Sequence, residues 1–227
     1  MKRLALDTST AFCVAAARDG DGRTFHSVLA PERMFEQPAH TTELLPEIIA
    51  VLESAGFGFA ELDQVVVGVG PGAFTGLRIG VSTARAIATA QGIPLIPVSS
   101  LATLEAGAFH DGPVLPVIDA RRKEFFYRVD GDDVVGSPAQ LVEAATALGK
   151  PLAVGDGAIK LSAELTLAGA LVPETNDIRH AVSAKVMLDL AEAIDPVPVD
   201  LVVPNYIRPP DAKVSARESW LVGSTKS

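Results

Sequence analysis

The chain has 227 residues, 48% hydrophobic and 21% charged, a balance that excludes an intrinsically disordered protein. Its formal net charge of −9 argues against tight independent binding to nucleic acid, because an acidic surface repels phosphate backbones. One cysteine excludes an internal disulfide, and no apolar run approaches the roughly 20 residues of a membrane span, so we expect a cytoplasmic protein.

The first half of the chain predicts three short strands, a helix, a buried strand, a second helix and a final strand. In chain order these elements are strands 3–7, 11–18 and 24–29, helix 42–55, strand 62–69, helix 75–90 and strand 95–98. Pro46 must lie near the first turn of the 42–55 helix or bend its axis, because proline lacks the amide donor.

The second half repeats this layout. Its predicted elements are strands 114–119 and 124–129, helix 138–148, strand 151–154, the turn Gly155-Asp156-Gly157 and helix 181–194. In each half the first strand ends in an aspartate, Asp7 or Asp119, followed by a polar turn and a returning strand. The repetition predicts an α/β fold built from two β-β-β-α-β-α halves.

The layout resembles the actin-like ATPase fold (ASKHA, ribonuclease H-like) of sugar kinases and chaperone ATPases, in which each strand-turn-strand unit holds a nucleotide phosphate. We expect an N-terminal domain at 1–105, a C-terminal domain at 106–210 and a tail at 211–227. Arg121, Arg122, Lys123 and Arg128 form a local basic spot. A solvated turn and strand face is the favoured interpretation, and contact with tRNA is left open.

The stretch 68–80 combines the exit of a strand, a glycine turn and the start of a helix, with Thr75 as the expected N-cap. It is not a Walker A loop, because no Gly-Lys-Ser/Thr follows. A dinucleotide-binding loop is disfavoured because Pro71 stiffens the turn and no acidic residue lies about 20 positions onward.

The string "GPGAFTGLRIG", which contains Gly70, Gly72, Phe74, Thr75 and Gly76, resembles the hallmark of the TsaB (YeaZ) family, usually written with Ser at the place of Ala73. Other pieces similar to the family occur in order along nearly the whole chain: "LALDTST", "HTTELLP", "VSSL", "IDARRKE", "GDG" and "YIRPP".

This resemblance implies a non-catalytic subunit that binds and activates the catalytic transferase TsaD. The complex would transfer threonylcarbamoyl to N6 of adenosine 37 in tRNAs that read codons beginning with A. The resemblance also implies the small ATPase TsaE in the same assembly, a homodimer as an alternative pairing, and contact with tRNA only through the complex. No cofactor is expected in the isolated chain, and ATP or ADP is expected at the interface with the catalytic subunit.

Two enzymatic alternatives remain. A metallopeptidase of the wider glycoprotease-like family needs several ligands converging on one ion, whereas His40 stands where the related transferase has the first of two histidines, and the second is missing. An ATP-dependent phosphotransferase of the actin-like fold usually has glycine two places after the first aspartate, where this chain has Ser9. We therefore predict neither catalytic nor metal-binding residues.

The two long helices offer surfaces for association. Small residues recur every four positions along 76–90 (Gly76, Gly80, Ala84, Ala88) and would let another helix or sheet approach closely. Because TsaB-like proteins pair through these helices, the resemblance favours a partner-binding surface over burial within one chain. The predicted partner-binding residues are Leu45, Ile48, Ile49, Leu52, Arg78, Ser82, Arg85 and Thr89.

Overall fold

A computed structural model of the chain describes residues 1–27 and 39–208, which form two β-sheets with helices packed around them. The first sheet has the strand order β3-β2-β1-β4-β5. Neighbours β1–β2 and β2–β3 are antiparallel, whereas β1–β4 and β4–β5 are parallel. Its strands are β1 (Arg3–Asp7), β2 (Val14–Arg18), β3 (Thr24–His26), β4 (Gln64–Gly70) and β5 (Leu95–Ser99).

The second sheet has the strand order β8-β7-β6-β9, with β6–β9 parallel and the other two pairs antiparallel. Its strands are β6 (Val114–Arg121), β7 (Glu124–Val129), β8 (Asp132–Gly136) and β9 (Leu152–Val154). The first four strands of each sheet therefore share one order and one set of directions. The predicted α/β class is confirmed.

Seven α-helices lie within the described residues: α1 (His40–Ala55), α2 (Phe74–Gln91), α3 (Ser100–Gly107), α4 (Pro138–Leu148), α5 (Asp156–Lys160), α6 (Ser162–Leu167) and α7 (Ala184–Leu190). Helices α1 and α2 cover one face of the first sheet, where Leu4 and Leu6 of β1 are fully buried. The alternate residue Ala5 faces the core between the two sheets, which α3 and α7 complete.

Several predicted boundaries are wrong. Helix α1 begins at His40 rather than Thr42, so Pro46 is its seventh residue and lies further inside the helix than predicted. Gly155-Asp156-Gly157 is not an isolated turn, because Asp156 is the first residue of α5. The predicted helix 181–194 is only α7 followed by a 3-10 turn at Ala191–Ala193. Strand β3 ends at His26, so Ser27 of the predicted strand 24–29 is not in a strand. Residues 28–29 and the tail 211–227 lie outside the described residues.

Polar bonds tie the two halves together. Arg128 of β7 forms ion pairs with Glu105 of α3 and Asp133 of β8, and Asp133 also accepts a 2.6 Å hydrogen bond from Ser99 Oγ. Arg128 is therefore engaged in this network, and the solvated strand face predicted for it is wrong. Residues 121–123 do form an exposed turn, in which all three have positive φ.

The chain then returns to the first sheet after α7. Residues 197–208, the return segment, begin with an antiparallel bridge between Val197 and Leu95 at the edge strand β5. Val202 is buried in the core of the first half, and the amide of Asn205 donates a 2.7 Å hydrogen bond to the carbonyl of Val69. The C-terminal part of the described chain thus packs along α2.

Candidate functional site

The loop between β4 and α2 packs tightly against the turn that follows β1. The amide of Ala73 donates a 2.7 Å hydrogen bond to the carbonyl of Ser9. Thr8 Oγ1 donates a 2.7 Å bond to the carbonyl of Gly76, and a Cβ on Gly76 would lie only 2.0 Å from the carbonyl oxygen of Thr8. The row of small residues on α2 therefore serves contact with this chain's own β1 and turn, which corrects its use as an argument for association.

The start of α2 has no side-chain cap. Ala73 is the N-cap residue, with extended φ and ψ of −62° and 121°, and Thr75 lies inside the helix, so the predicted Thr75 cap is wrong. The sequence predicts a hydroxyl cap for this helix but places it at Thr75, two residues after the actual N-cap position.

Ala73→Ser is expected to raise the free energy of unfolding by about 1 kcal/mol, because a serine hydroxyl can accept a first-turn amide that no side chain caps now. Chemical denaturation of both proteins measures this difference. Ala86→Ser, on the exposed middle of α2, is the matched control and should not stabilise the protein. Equal effects of the two substitutions would contradict a capping role.

Asp7, at the end of β1, is buried in a cluster of hydroxyl groups. Its Oδ1 accepts 2.7 Å hydrogen bonds from the amide and the hydroxyl of Ser9, and its Oδ2 accepts a 2.9 Å bond from Ser100 Oγ. A Cβ on Gly68 would lie 1.7 Å from Oδ2, so glycine is needed beside it. Burial raises the pKa of the Asp7 carboxyl above its usual range, although the bonds from Ser9 and Ser100 act in the opposite direction.

The raised pKa predicts a pH dependence of stability. The contribution of protonated Asp7 is fully present below the ordinary value of 3.8 and is lost as the pH rises through its higher folded-state pKa. Asp7→Asn cannot ionise, so the stability of this variant relative to wild type should increase with pH above 3.8. Denaturation across that range tests it, and a pH-independent difference would contradict the expectation.

His40 is the other buried titratable group near this turn. Its side chain is 5% exposed, and its Nε2 lies 3.2 Å from where a Cβ on Gly76 would stand. Burial lowers the pKa of the imidazole, while the Thr10 backbone and Asp7 act more weakly to raise it. Within residues 1–27 and 39–208 neither ring nitrogen has a hydrogen-bond partner of normal geometry, and no cluster of three metal-binding side chains is present.

The corresponding turn of the second half is occupied by internal bonds. Asp156 Oδ1 accepts a 3.1 Å hydrogen bond from the amide of Asp119, and burial raises the pKa of the Asp156 carboxyl. Lys160 Nζ lies 2.6 Å from Asp119 Oδ2, and Arg121 lies 3.3 Å from the same oxygen. Two cations beside this turn, Lys160 and Arg121, are thus paired with a carboxylate.

Helix α1 presents an apolar outer surface. Leu45 is 52% and Ile49 39% exposed, and their neighbours Pro46 and Ala50 are exposed as well. Ile48 and Leu52 are instead 0% and 3% exposed and pack against the first sheet, which corrects their assignment as partner-binding residues. Leu45 and Ile49 lie one turn apart on the same side of α1 and stay predicted partner-binding residues.

On α2, Ser82, Ala86 and Thr89 are exposed. The starts of α1 and α2 lie side by side, as the contact between His40 and Gly76 shows. We call the exposed residues Leu45, Pro46, Ile49 and Ala50 of α1 and Ser82, Ala86 and Thr89 of α2 the docking face.

The predicted arginines of α2 contact the return segment, which the sequence did not indicate. Arg78 Nε donates a 3.1 Å hydrogen bond to Tyr206 Oη, and its guanidinium carbon lies 3.9 Å from the ring centre of Phe74. The Phe74 and Tyr206 rings are 5.3 Å apart. Arg85 donates a 3.3 Å bond to the carbonyl of Val202.

No helix in residues 1–27 and 39–208 combines the length and the hydropathy that a membrane crossing requires.

A family model, several relatives and solved structures match this chain. The model of the family described as TsaD, tRNA N6-adenosine threonylcarbamoyltransferase, matches residues 30–178. An uncharacterised protein of Mycobacterium leprae is 38% identical over 224 residues, which cover 92% of this chain and 55% of that protein. The Haemophilus influenzae protein named tRNA threonylcarbamoyladenosine biosynthesis protein TsaB is 37% identical over 127 residues, 55% of this chain and 51% of the relative. The chain thus spans about half the length of these two relatives.

Among solved structures, YeaZ from Pseudomonas aeruginosa matches with a TM-score of 0.70 and 25% identity, over 91% of this chain and all of that one. The similarity therefore extends over both sheets.

Proposed function

We propose, from the premise that this chain belongs to the TsaB (YeaZ) family, that it takes part in forming threonylcarbamoyladenosine in tRNA. In this proposal the chain is the non-catalytic subunit that binds the transferase TsaD and holds it in an active arrangement. TsaD transfers the threonylcarbamoyl group to N6 of adenosine 37 in tRNAs that read codons beginning with A.

The observation that carries this proposal is the docking face. Its centre on α1 is a pair of exposed aliphatic side chains, Leu45 and Ile49, although Ile48 and Leu52 already supply the contacts that the sheet needs. Burying exposed aliphatic surface against a partner is favourable by about 25 cal/mol per Å² of apolar area. Such a surface is typical of a protein-protein interface.

The internal bonds of both turns support a binding role over the enzymatic alternatives. A phosphotransferase would need free groups to hold ATP, yet Asp119 and Lys160 are paired with each other. Titration of the isolated chain with ATP and magnesium distinguishes a phosphotransferase from a binding subunit, because a phosphotransferase should bind ATP without a partner protein. Metal analysis of the purified chain tests the metallopeptidase alternative, which needs a bound ion.

The remaining elements of the proposal follow the family. The matching strand orders support two actin-like halves with domains at 1–105 and 106–210, although α3, which spans this boundary, packs on both sheets. We propose a cytoplasmic complex that also includes the small ATPase TsaE, with ATP or ADP at the interface and tRNA bound only through the assembly. A homodimer through the same face is the alternative pairing of the free chain.

The proposal is tested by mixing the purified chain with purified TsaD and measuring the molar mass during size-exclusion chromatography. We expect one complex that contains both proteins. Two separate peaks at micromolar concentrations of each protein would contradict the proposal.

A further inference from the structure

A groove runs between α2 and the return segment, at the edge of the docking face. It encloses a cavity of about 300 Å³, large enough for one or two side chains but not for a folded element. Its walls come from two parts of the chain that are far apart in sequence. We call it the anion groove, and it is lined by Arg78, Val81, Ser82, Arg85, Pro204 and Tyr206.

The two arginines of the anion groove differ from others in the protein. In the described part of the chain, ion pairs with carboxylates hold Arg3, Arg18, Arg23, Arg121, Arg128, Arg179 and Arg208. Among residues 1–27 and 39–208, by contrast, Arg78 and Arg85 have no carboxylate partner. They donate only to neutral oxygens, the Tyr206 hydroxyl and the Val202 carbonyl. The anion groove therefore carries a local positive charge in a protein whose net charge is −9.

Both guanidinium groups line the anion groove, and contacts within the chain orient them there. Arg85 follows Arg78 by seven positions, so the 100° advance per residue brings them within about 20° of each other on α2. Ser82 lies about 40° from Arg78. The Phe74 ring and Tyr206 hydroxyl fix the plane of the Arg78 guanidinium, and the Val202 carbonyl holds one nitrogen of Arg85. A pre-oriented guanidinium loses little freedom when it binds a carboxylate through two parallel hydrogen bonds.

We propose that the anion groove binds a carboxylate side chain of the partner protein, carried on a segment that also presents an apolar residue. The surroundings support a protein segment, because Leu201 is 64%, Val203 59% and Phe74 41% exposed around the charged centre. A tRNA backbone fits poorly, because two arginines on an acidic protein offer little neutralisation of a phosphate series. This inference rests on the proposed function and extends the docking face from α1 across α2 to the return segment.

The test compares two charge-matched double variants for binding to purified TsaD by isothermal titration calorimetry. Arg78→Gln with Arg85→Gln removes the charges of the anion groove. Arg23→Gln with Lys150→Gln removes two exposed positive charges elsewhere, in the β2–β3 turn and after α4. We expect the first pair to weaken binding by about tenfold or more, with a smaller salt dependence than wild type, and the control pair to bind like wild type.

Other results would overturn the inference. If the groove variant binds TsaD like wild type while Ile49→Glu binds much more weakly, the anion groove does not bind a TsaD carboxylate. The proposed function then stands. If neither change weakens binding, the anion groove and the docking face are both wrong as the TsaD interface. The proposed function itself fails only if the wild-type chain does not bind TsaD. If TsaD binding is retained but the assembled complex loses tRNA in a gel-shift assay, the occupant is an RNA phosphate, and our assignment is also wrong.

Both double variants must have the melting temperature of wild type for this comparison. Should loss of the Arg85 bond to Val202 lower it, the single variant Arg78→Gln decides, because Arg78 is exposed. Unchanged TsaD affinity of that variant at low salt would overturn the inference.

Discussion

Replacing Ile49 with glutamate is expected to weaken binding to TsaD by about a hundredfold while the chain stays folded. Ile49 is 39% exposed in the middle of the α1 outer surface, so a glutamate remains hydrated in the free protein. In the complex the same carboxylate would lose water without gaining a partner, at a cost of about 3 kcal/mol or roughly a hundredfold in Kd. Calorimetric titration measures the affinity, and the melting temperature should stay within about 2 °C of wild type.

Two control variants isolate the cause. Leu167→Glu introduces the same charge at a 90% exposed leucine of α6, far along the chain from α1, and should leave TsaD affinity unchanged. Leu52→Glu, at a side chain only 3% exposed, should unfold the protein, because an unpaired carboxylate would be buried against the first sheet. Wild-type affinity of Ile49→Glu would remove α1 from the interface.

Replacing Gly76 with alanine is expected to lower the free energy of unfolding by about 3 kcal/mol. The new methyl group would lie 2.0 Å from the carbonyl oxygen of Thr8 and 3.1 Å from Cδ2 of His40. Helix α2 and the turn after β1 would have to move apart, which also weakens the buried hydrogen bond from Thr8 Oγ1 to the Gly76 carbonyl. Urea denaturation measures the loss.

The sign of this effect is the informative part. Helix propensity alone predicts that Gly76→Ala inside α2 stabilises the protein by about 1 kcal/mol. Gly20→Ala is the matched control, because nothing lies within 4 Å of its Cβ position and its φ is not in the left-handed region. We expect this control to change stability by less than about 0.5 kcal/mol. A stabilised Gly76→Ala protein would show that the close packing of α2 on the turn is wrong.

Elements with strong local signals could be predicted from the sequence. Strand β7 and helix α4 have their predicted bounds, and α4 has the signals that define a helix: the capping box of Ser137 and Gln140, a proline in the first turn and Gly149 after the end. Helix α1 lacks such a signal at its start, because Ala39 has no capping side chain. The sequence therefore predicts its beginning two residues late.

The candidate site could be predicted only in part, for a physical reason. The helical period places Leu45, Ile48, Ile49 and Leu52 on one broad apolar side of α1. It does not show which part of that side the sheet covers, so exposed Ile49 and buried Ile48 cannot be separated from the sequence. The contacts of Arg78 with Tyr206 and of Arg128 with Glu105 depend on how distant strands and helices are placed in space. No local pattern in the sequence encodes such contacts.

The most direct test of the account is reconstitution of tRNA modification from purified components. We would measure threonylcarbamoyladenosine in tRNA by mass spectrometry after incubation with the threonylcarbamoyl adenylate, TsaD, TsaE and ATP, with and without this chain. We expect product only when the chain is present together with TsaD, and little product with Ile49→Glu. Equal product without the chain, or product formed by the chain in the absence of TsaD, would contradict its role as a non-catalytic partner subunit.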